Sequence, residues 1–322
     1  MMKGLRSCLA IVLLALAAGA GAQDYPEKPI RFIVPFPPGG STDVLARRLA
    51  SSFRESMGQP VVVENRSGAG GAIGSDLVAK AAPDGYTLLI GVTGSHGVSI
   101  SLNPALPYHP LRDFEPVSRV VTAPLVIVTK ADFPGSTIAD YVAYAKSKPG
   151  EVTYSSPGNG TSMHLTGEMF NLAAGTSLVH IPYRGSAGAM NDLIGGQVTS
   201  IFSDLLVAMP FIKGGRVRPL AVTSTERHPM LPDVPSVAES GFPGFEALSW
   251  QGLFLPAGTP SAIVDKLNAQ TRKALARPEI RDFFLSQGMD VRATSPAEFR
   301  SFIEREIPKW ARIIKDARVT LQ

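Results

Sequence analysis

The chain has 322 residues, of which 44% are hydrophobic and 18% charged, and a formal net charge of +4. That length supports a large core and, most naturally, two domains. So mild a charge, with no Lys/Arg run interleaved with aromatics, argues against a nucleic-acid partner, and the lone cysteine, Cys8, excludes a disulfide framework.

Lys3 and Arg6 precede an apolar run over 9–18, and Ala20, Gly21 and Ala22 form the small-residue pattern cut by signal peptidases. Residues 1–22 therefore read as a secretory signal peptide, with Gln23 the first mature residue. The run is too short to span a bilayer, and no later stretch approaches a transmembrane length. Cys8 lies inside the leader and not at the cleavage point, so no lipid anchor is expected.

The mature chain alternates strand and helix patterns, the mark of an α/β architecture with mostly parallel sheets. An apolar, β-branched run over 30–34 reads as a buried strand, ended by Pro35, Pro37, Pro38, Gly39 and Gly40. Ser41, Thr42 and Asp43 are helix-opening residue types, and Leu45, Leu49, Phe53 and Met57 recur every fourth position as the buried face of a helix stopping near Gly58. A strand over 61–64, a glycine-rich lead-in over 68–74 with a helix to about 81, and a strand over 86–90 follow. Residues 102–116 are proline-rich and aperiodic, which predicts a long surface connection.

A second series predicts strands over 125–129, 152–155, 178–181, 198–202 and 218–222, with helices over 138–146, 162–172, 187–194 and 207–213 between them. Another Pro/Gly-rich loop covers 226–244. Helices over 263–276, 280–286 and 296–317 close the chain, the last with Pro308 as an expected kink.

Three strand-to-helix loops share one composition. The first holds Phe36, Pro38, Gly39, Gly40, Ser41, Thr42 and Asp43; the second Ser156, Gly158, Asn159, Gly160 and Thr161; the third Arg184, Gly185 and Ser186. Each presents backbone N–H groups at a helix start, where partial positive charge seats an anion without a basic side chain. In parallel α/β sheets such turns gather at the carboxyl ends of the strands, so loops far apart in sequence face one cleft. Ser95 and His96, after the third strand, are a further lining candidate. His164 reads either as a ligand contact or as a histidine bonded to a neighbouring backbone group, and Arg184 either as a bidentate carboxylate partner or as a solvated rim charge. Phe36 and Trp250 read as aromatic walls or as core.

Other chemistries fit less well. Gly68 to Gly74 imitates a dinucleotide fingerprint, but the strand over 86–90 ends without an acidic residue for a ribose hydroxyl. No serine has a G-x-S-x-G setting, and the five histidines have no metal-ligand spacing, so no catalytic residue, metal or cofactor is expected.

The segments PIRFIVPFPPGGSTDVLARRLA, VVVENRSGAGGAIGSDLVAKAAPDGYTLL, YSSPGNGTSMHLTGEMF, HIPYRGSAGAMNDLIGGQV and SWQGLFLPAGTP together resemble the Bug family, the extracytoplasmic solute receptors of tripartite tricarboxylate transporters. The resemblance runs over essentially all of 25–317. It implies a periplasmic binding protein of type II architecture: domain I over 23–122 plus 248–322, domain II over 123–247, and hinge crossings at 125–129 and 248–253. It further implies a monomeric periplasmic protein that holds a small organic carboxylate mainly through amides at 38–43, 156–161 and 184–186 and delivers it to membrane permease subunits. Where the resembling family often reads Phe-Asp-Asn after the fourth strand of domain II, this chain reads Phe202-Ser203-Asp204, so the family's distal specificity contact does not carry over to Ser203 and Asp204. Two alternatives stay open: a secreted α/β hydrolase acting on a small acid ester or lactone, and a ligand-binding partner of a membrane sensor.

Overall fold

The computed structural model describes residues 25–320. The leader and its cleavage point at Gln23 lie outside the described residues.

Strand β1 (Ile30–Val34) pairs in parallel with β2 (Val61–Asn65) and β3 (Thr87–Val92). Helices α1 (Ser41–Met57) and α2 (Ala72–Ala79) make the crossovers. The four-residue recurrence of α1 places Leu45, Leu49 and Phe53 in one core with Phe32 and Leu88, and burying each such side chain contributes about 1.5–3 kcal/mol. The helix ends because Gly58 turns left-handed at φ 72° and closes its N–H on the Arg54 carbonyl. After β3 the chain winds one π turn, Gly94–Val98, into the short helix α3 (Ser99–Leu102).

The next strand differs from the sequence expectation. A strand over 125–129 was expected behind a connection reaching 116, whereas β4 is a 17-residue strand, Phe114–Lys130. Its first half hides from pattern reading because register shifts between Pro116 and Ser118 and between Arg119 and Val121 break the two-residue alternation. Its second half alternates cleanly. Leu125 and Ile127 pack with Tyr141, Tyr154, Phe170 and Phe202 on one face, and Val126 and Val128 pack with Met190, Leu193 and Met209 on the other.

Beyond β4 come α4 (Ile138–Ser147), β5 (Thr153–Ser156), α5 (Ser162–Ala174), β6 (Val179–Pro182), α6 (Ser186–Ile194), β7 (Ser200–Asp204), α7 (Leu205–Lys213) and β8 (Val217–Val222). β5 lies parallel between β6 and β7, while β7 and β8 run antiparallel to the second half of β4. The chain then returns through β9 (Leu248–Pro256), antiparallel to both β3 and the first half of β4. Helices α8 (Ser261–Ala276) and α9 (Pro278–Leu285), the two-residue strand β10 (Asp290–Val291) and α10 (Pro296–Asp316), which continues through Pro308, complete the described chain.

The strand order is β2-β1-β3-β9-β4-β7-β5-β6, with β8 and β10 also on β4. Two α/β halves thus share the long strand β4, their βα units parallel within each half. No helix among the described residues is long and apolar enough to cross a membrane.

Candidate functional site

The carboxyl ends of β1, β5, β6 and β7 meet where the two halves face each other, and a cavity lies between them. Phe36, Pro37, Pro38, Gly40, Ser41 and Thr42 line it from the β1 loop and the start of α1, facing Pro157, Thr161, Ser162 and Met163 from the β5–α5 turn. Arg184, Gly185, Ser186 and Ala187 add the β6–α6 turn, with Val92, Asp204, Ser249 and Gln251 completing the wall from strand ends.

Backbone conformation makes the loops usable. Gly40 and Gly185 occupy the cap positions of α1 and α6 without any side-chain cap hydrogen bond, so first-turn amides of both helices remain available to a ligand. Gly185 does so at φ 113°, a conformation that side-chain-bearing residues avoid. Thr161 caps α5 instead, accepting from the His164 amide.

A polar chain crosses from one half to the other at the inner wall. Gln251 Nε2 donates to Ser41 Oγ at 3.2 Å, and Ser41 Oγ donates to Asp204 Oδ2 at 2.5 Å. Asp204 is 4% exposed. Burial pushes its carboxyl up to about 6, opposed by the Ser41 and Ser249 hydroxyls.

Of the residues singled out from sequence, Phe36, Pro38, Gly40, Ser41, Thr42, Thr161, Arg184, Gly185, Ser186 and Asp204 meet at this cavity, with Arg184 exposed at its mouth. Gly158 and Asn159 line a neighbouring outer groove together with Gly70 and Tyr183. The others brace the loops or fill the core. Gly39 donates its N–H to Asp43, whose carboxylate also takes Arg47 and Asn65; burial raises that carboxyl, but these donors outweigh it and hold it below the usual range. Ser156 Oγ accepts the Gly158 amide and bonds His180 Nε2 at 2.7 Å. Gly160 donates to His164 Nδ1 at 3.1 Å, and the His164 ring stacks on His180 with centroids 4.0 Å apart. Desolvation lowers His164 to about 4, so it is neutral and occupied by its own loop. Ser203 bonds the Asp204 carbonyl. Ser95 bonds His96, which is fully buried, stacked on Phe254 and pushed down to about 3 by desolvation. Trp250 is core, its Nε1 bonded to Glu306 and its ring edge-on to Phe299.

Sequence reasoning passed over Ser249 and Gln251. The signal was their alternation with Trp250 in an otherwise apolar strand, which turns two polar side chains away from the core. Val92, Pro157, Ser162, Met163 and Ala187 adjoin segments already marked, and only proximity to them could have found them.

The sequence profile of the tripartite tricarboxylate transporter family receptor matches residues 45–319. The chain belongs to that receptor family. It is 41% identical to Protein BugT of Bordetella pertussis over 313 residues, covering 97% of this chain and 96% of that one. Among solved structures it is similar to R. palustris Rpa4515 with adipate, at 34% identity and TM-score 0.89, covering 92% of this chain and 99% of that one. It is also similar to MatC from Rhodopseudomonas palustris with bound malate, at 32% identity and TM-score 0.87, covering 90% and 100%. The fold is that of a two-domain α/β periplasmic binding protein.

Proposed function

We propose that this member of the receptor family is exported, closes its two domains around one small organic carboxylate in the interdomain cavity, and presents the closed complex to a membrane permease. The observation that carries the reading is the meeting of uncapped helix starts, at Ser41 of α1 and Ser186 of α6, on opposite sides of one cavity. Charge-assisted hydrogen bonds are worth about 1.5–3 kcal/mol each, so three or four amides approach the roughly 8 kcal/mol of a micromolar complex once ordering costs are subtracted. The adipate and malate of the two solved relatives are carboxylates and support the same ligand class.

The proposed domain boundaries, at 122/123 and 247/248, fit the point where β4 exchanges β9 for β7 and β8. Binding without turnover is proposed because, among the described residues, no histidine lines the cavity to activate Ser41 or Ser186. Thermal-shift screening against small organic acids tests the reading, since a ligand at 100 times its dissociation constant adds about 2.7 kcal/mol. At least one acid should raise the melting temperature and be recovered chemically unchanged. Release of an altered product would instead favour the hydrolase alternative.

A further inference from the structure

Asp204 ends β7 at the cavity wall, in a position where its charge has few partners. Its side chain is more than nine-tenths buried and lines the cavity. Oδ2 takes the Ser41 hydroxyl, and the neutral Ser249 hydroxyl is the other side-chain donor beside the carboxylate. Burial, Ser41 and Ser249 account for its environment, and no cationic side chain among the described residues acts on it. Arg184, the cation at the cavity, stands exposed at the mouth, and Arg47 is engaged by Asp43 on the outer side of the β1 loop.

A buried carboxylate without a counter-charge is costly, and a second carboxylate brought beside it compounds that cost. A ligand cation placed there supplies the missing charge. The site is thus polarised: backbone donors at the helix starts favour an anion, and the inner wall favours a donor. The Gln251 to Ser41 to Asp204 hydrogen bonds fix the carboxylate's orientation, because the one Ser41 proton points at Asp204 and its oxygen accepts from Gln251.

We infer that Asp204 makes this cavity select carboxylates that also carry an ammonium group, amino-acid-type zwitterions, over unsubstituted acids of the same skeleton. The inference rests on the carboxylate-receptor reading above and names the ligand class of that site.

Titration calorimetry at pH 8 with three matched trios tests it: propionate, lactate and alanine; succinate, malate and aspartate; glutarate, 2-hydroxyglutarate and glutamate. At whichever skeleton length binds, the amino member should bind wild-type protein at least tenfold more tightly than the unsubstituted member. In Asp204→Asn that preference should fall below threefold. Asp204→Ser, which also keeps a partner for Ser41 without a charge, should behave alike, and both variants are first checked for a cooperative melt. Equal or tighter binding of unsubstituted acids by the wild type overturns the inference while leaving the receptor reading intact. So does an amino preference that persists in the two variants, which would leave Asp204 as an interdomain hook alone. Binding of none of the nine overturns this inference, while the carboxylate reading is decided by the wider acid screen.

Discussion

At the scale of single residues, Asp204 carries the clearest consequence for stability. Its carboxyl is raised from 3.8 to about 6 in the fold, so between those values the folded protein holds the proton more tightly than the unfolded chain does. Stability from this group is therefore fully present below about pH 4 and is lost as pH rises through about 6, a difference on the order of 3 kcal/mol. Asp204→Asn removes the charge and should raise the melting temperature of the ligand-free protein at pH 8 while changing it little at pH 4. Differential scanning calorimetry at the two pH values checks this; an equal shift at both would contradict it. Legibility at this scale was uneven for physical reasons. The loop residues declared themselves because tight strand-to-helix turns need small, turn-forming side chains. His96 and Trp250 looked chemically useful but are fully enclosed, His96 against Phe254 and Trp250 against Phe299. Gln251 went unnoticed because whether a strand face meets core or cavity depends on the facing half of the molecule.

At the scale of elements, recognition is expected to reside in helix starts more than in side chains. Proline is tolerated at the first helical position, where its missing N–H disturbs no helical bond. Ser186→Pro therefore deletes one ligand-facing donor from α6 while keeping the helix. Compared with Ser186→Ala, which controls for the hydroxyl, it should weaken carboxylate binding about tenfold, the lower end of one charge-assisted bond, with melting temperatures within about 2 °C. Unchanged affinity would show that the α6 amide is not used. Most strands and helices were legible because buried faces repeat at two or about four residues. The first half of β4 was not, since its bulges and Pro116 and Pro124 erase the alternation, and pairing with β9 and β10 holds it extended. The π turn at Gly94–Val98 left no periodic trace either.

At the scale of the whole molecule, the two halves touch through backbone. A methyl group added at Gly94 would stand 2.9 Å from the Gly160 carbonyl oxygen across the cleft, too close for an ordinary contact, although the backbone there is not left-handed. Gly94→Ala should therefore fold normally yet resist full closure. Small-angle scattering with saturating ligand should show a smaller contraction than wild type, and affinity should fall roughly tenfold, the cost of about 1.4 kcal/mol against the closed state. Wild-type contraction and affinity would show that the glycine contact does not set closure. Export belongs to this scale as well: mass spectrometry of periplasmic protein should find Gln23 at the N-terminus, and a retained Met1 would contradict the leader reading. The central claim, one carboxylate held by amides of both halves, is met most directly by amide NMR spectra of the mature protein titrated with the best-binding acid. The largest shifts should fall on Ser41, Thr42, Ser186 and Ala187 together, saturating with one constant at one equivalent. Shifts confined to one half, or centred on the outer groove at Gly70 and Asn159, would contradict it.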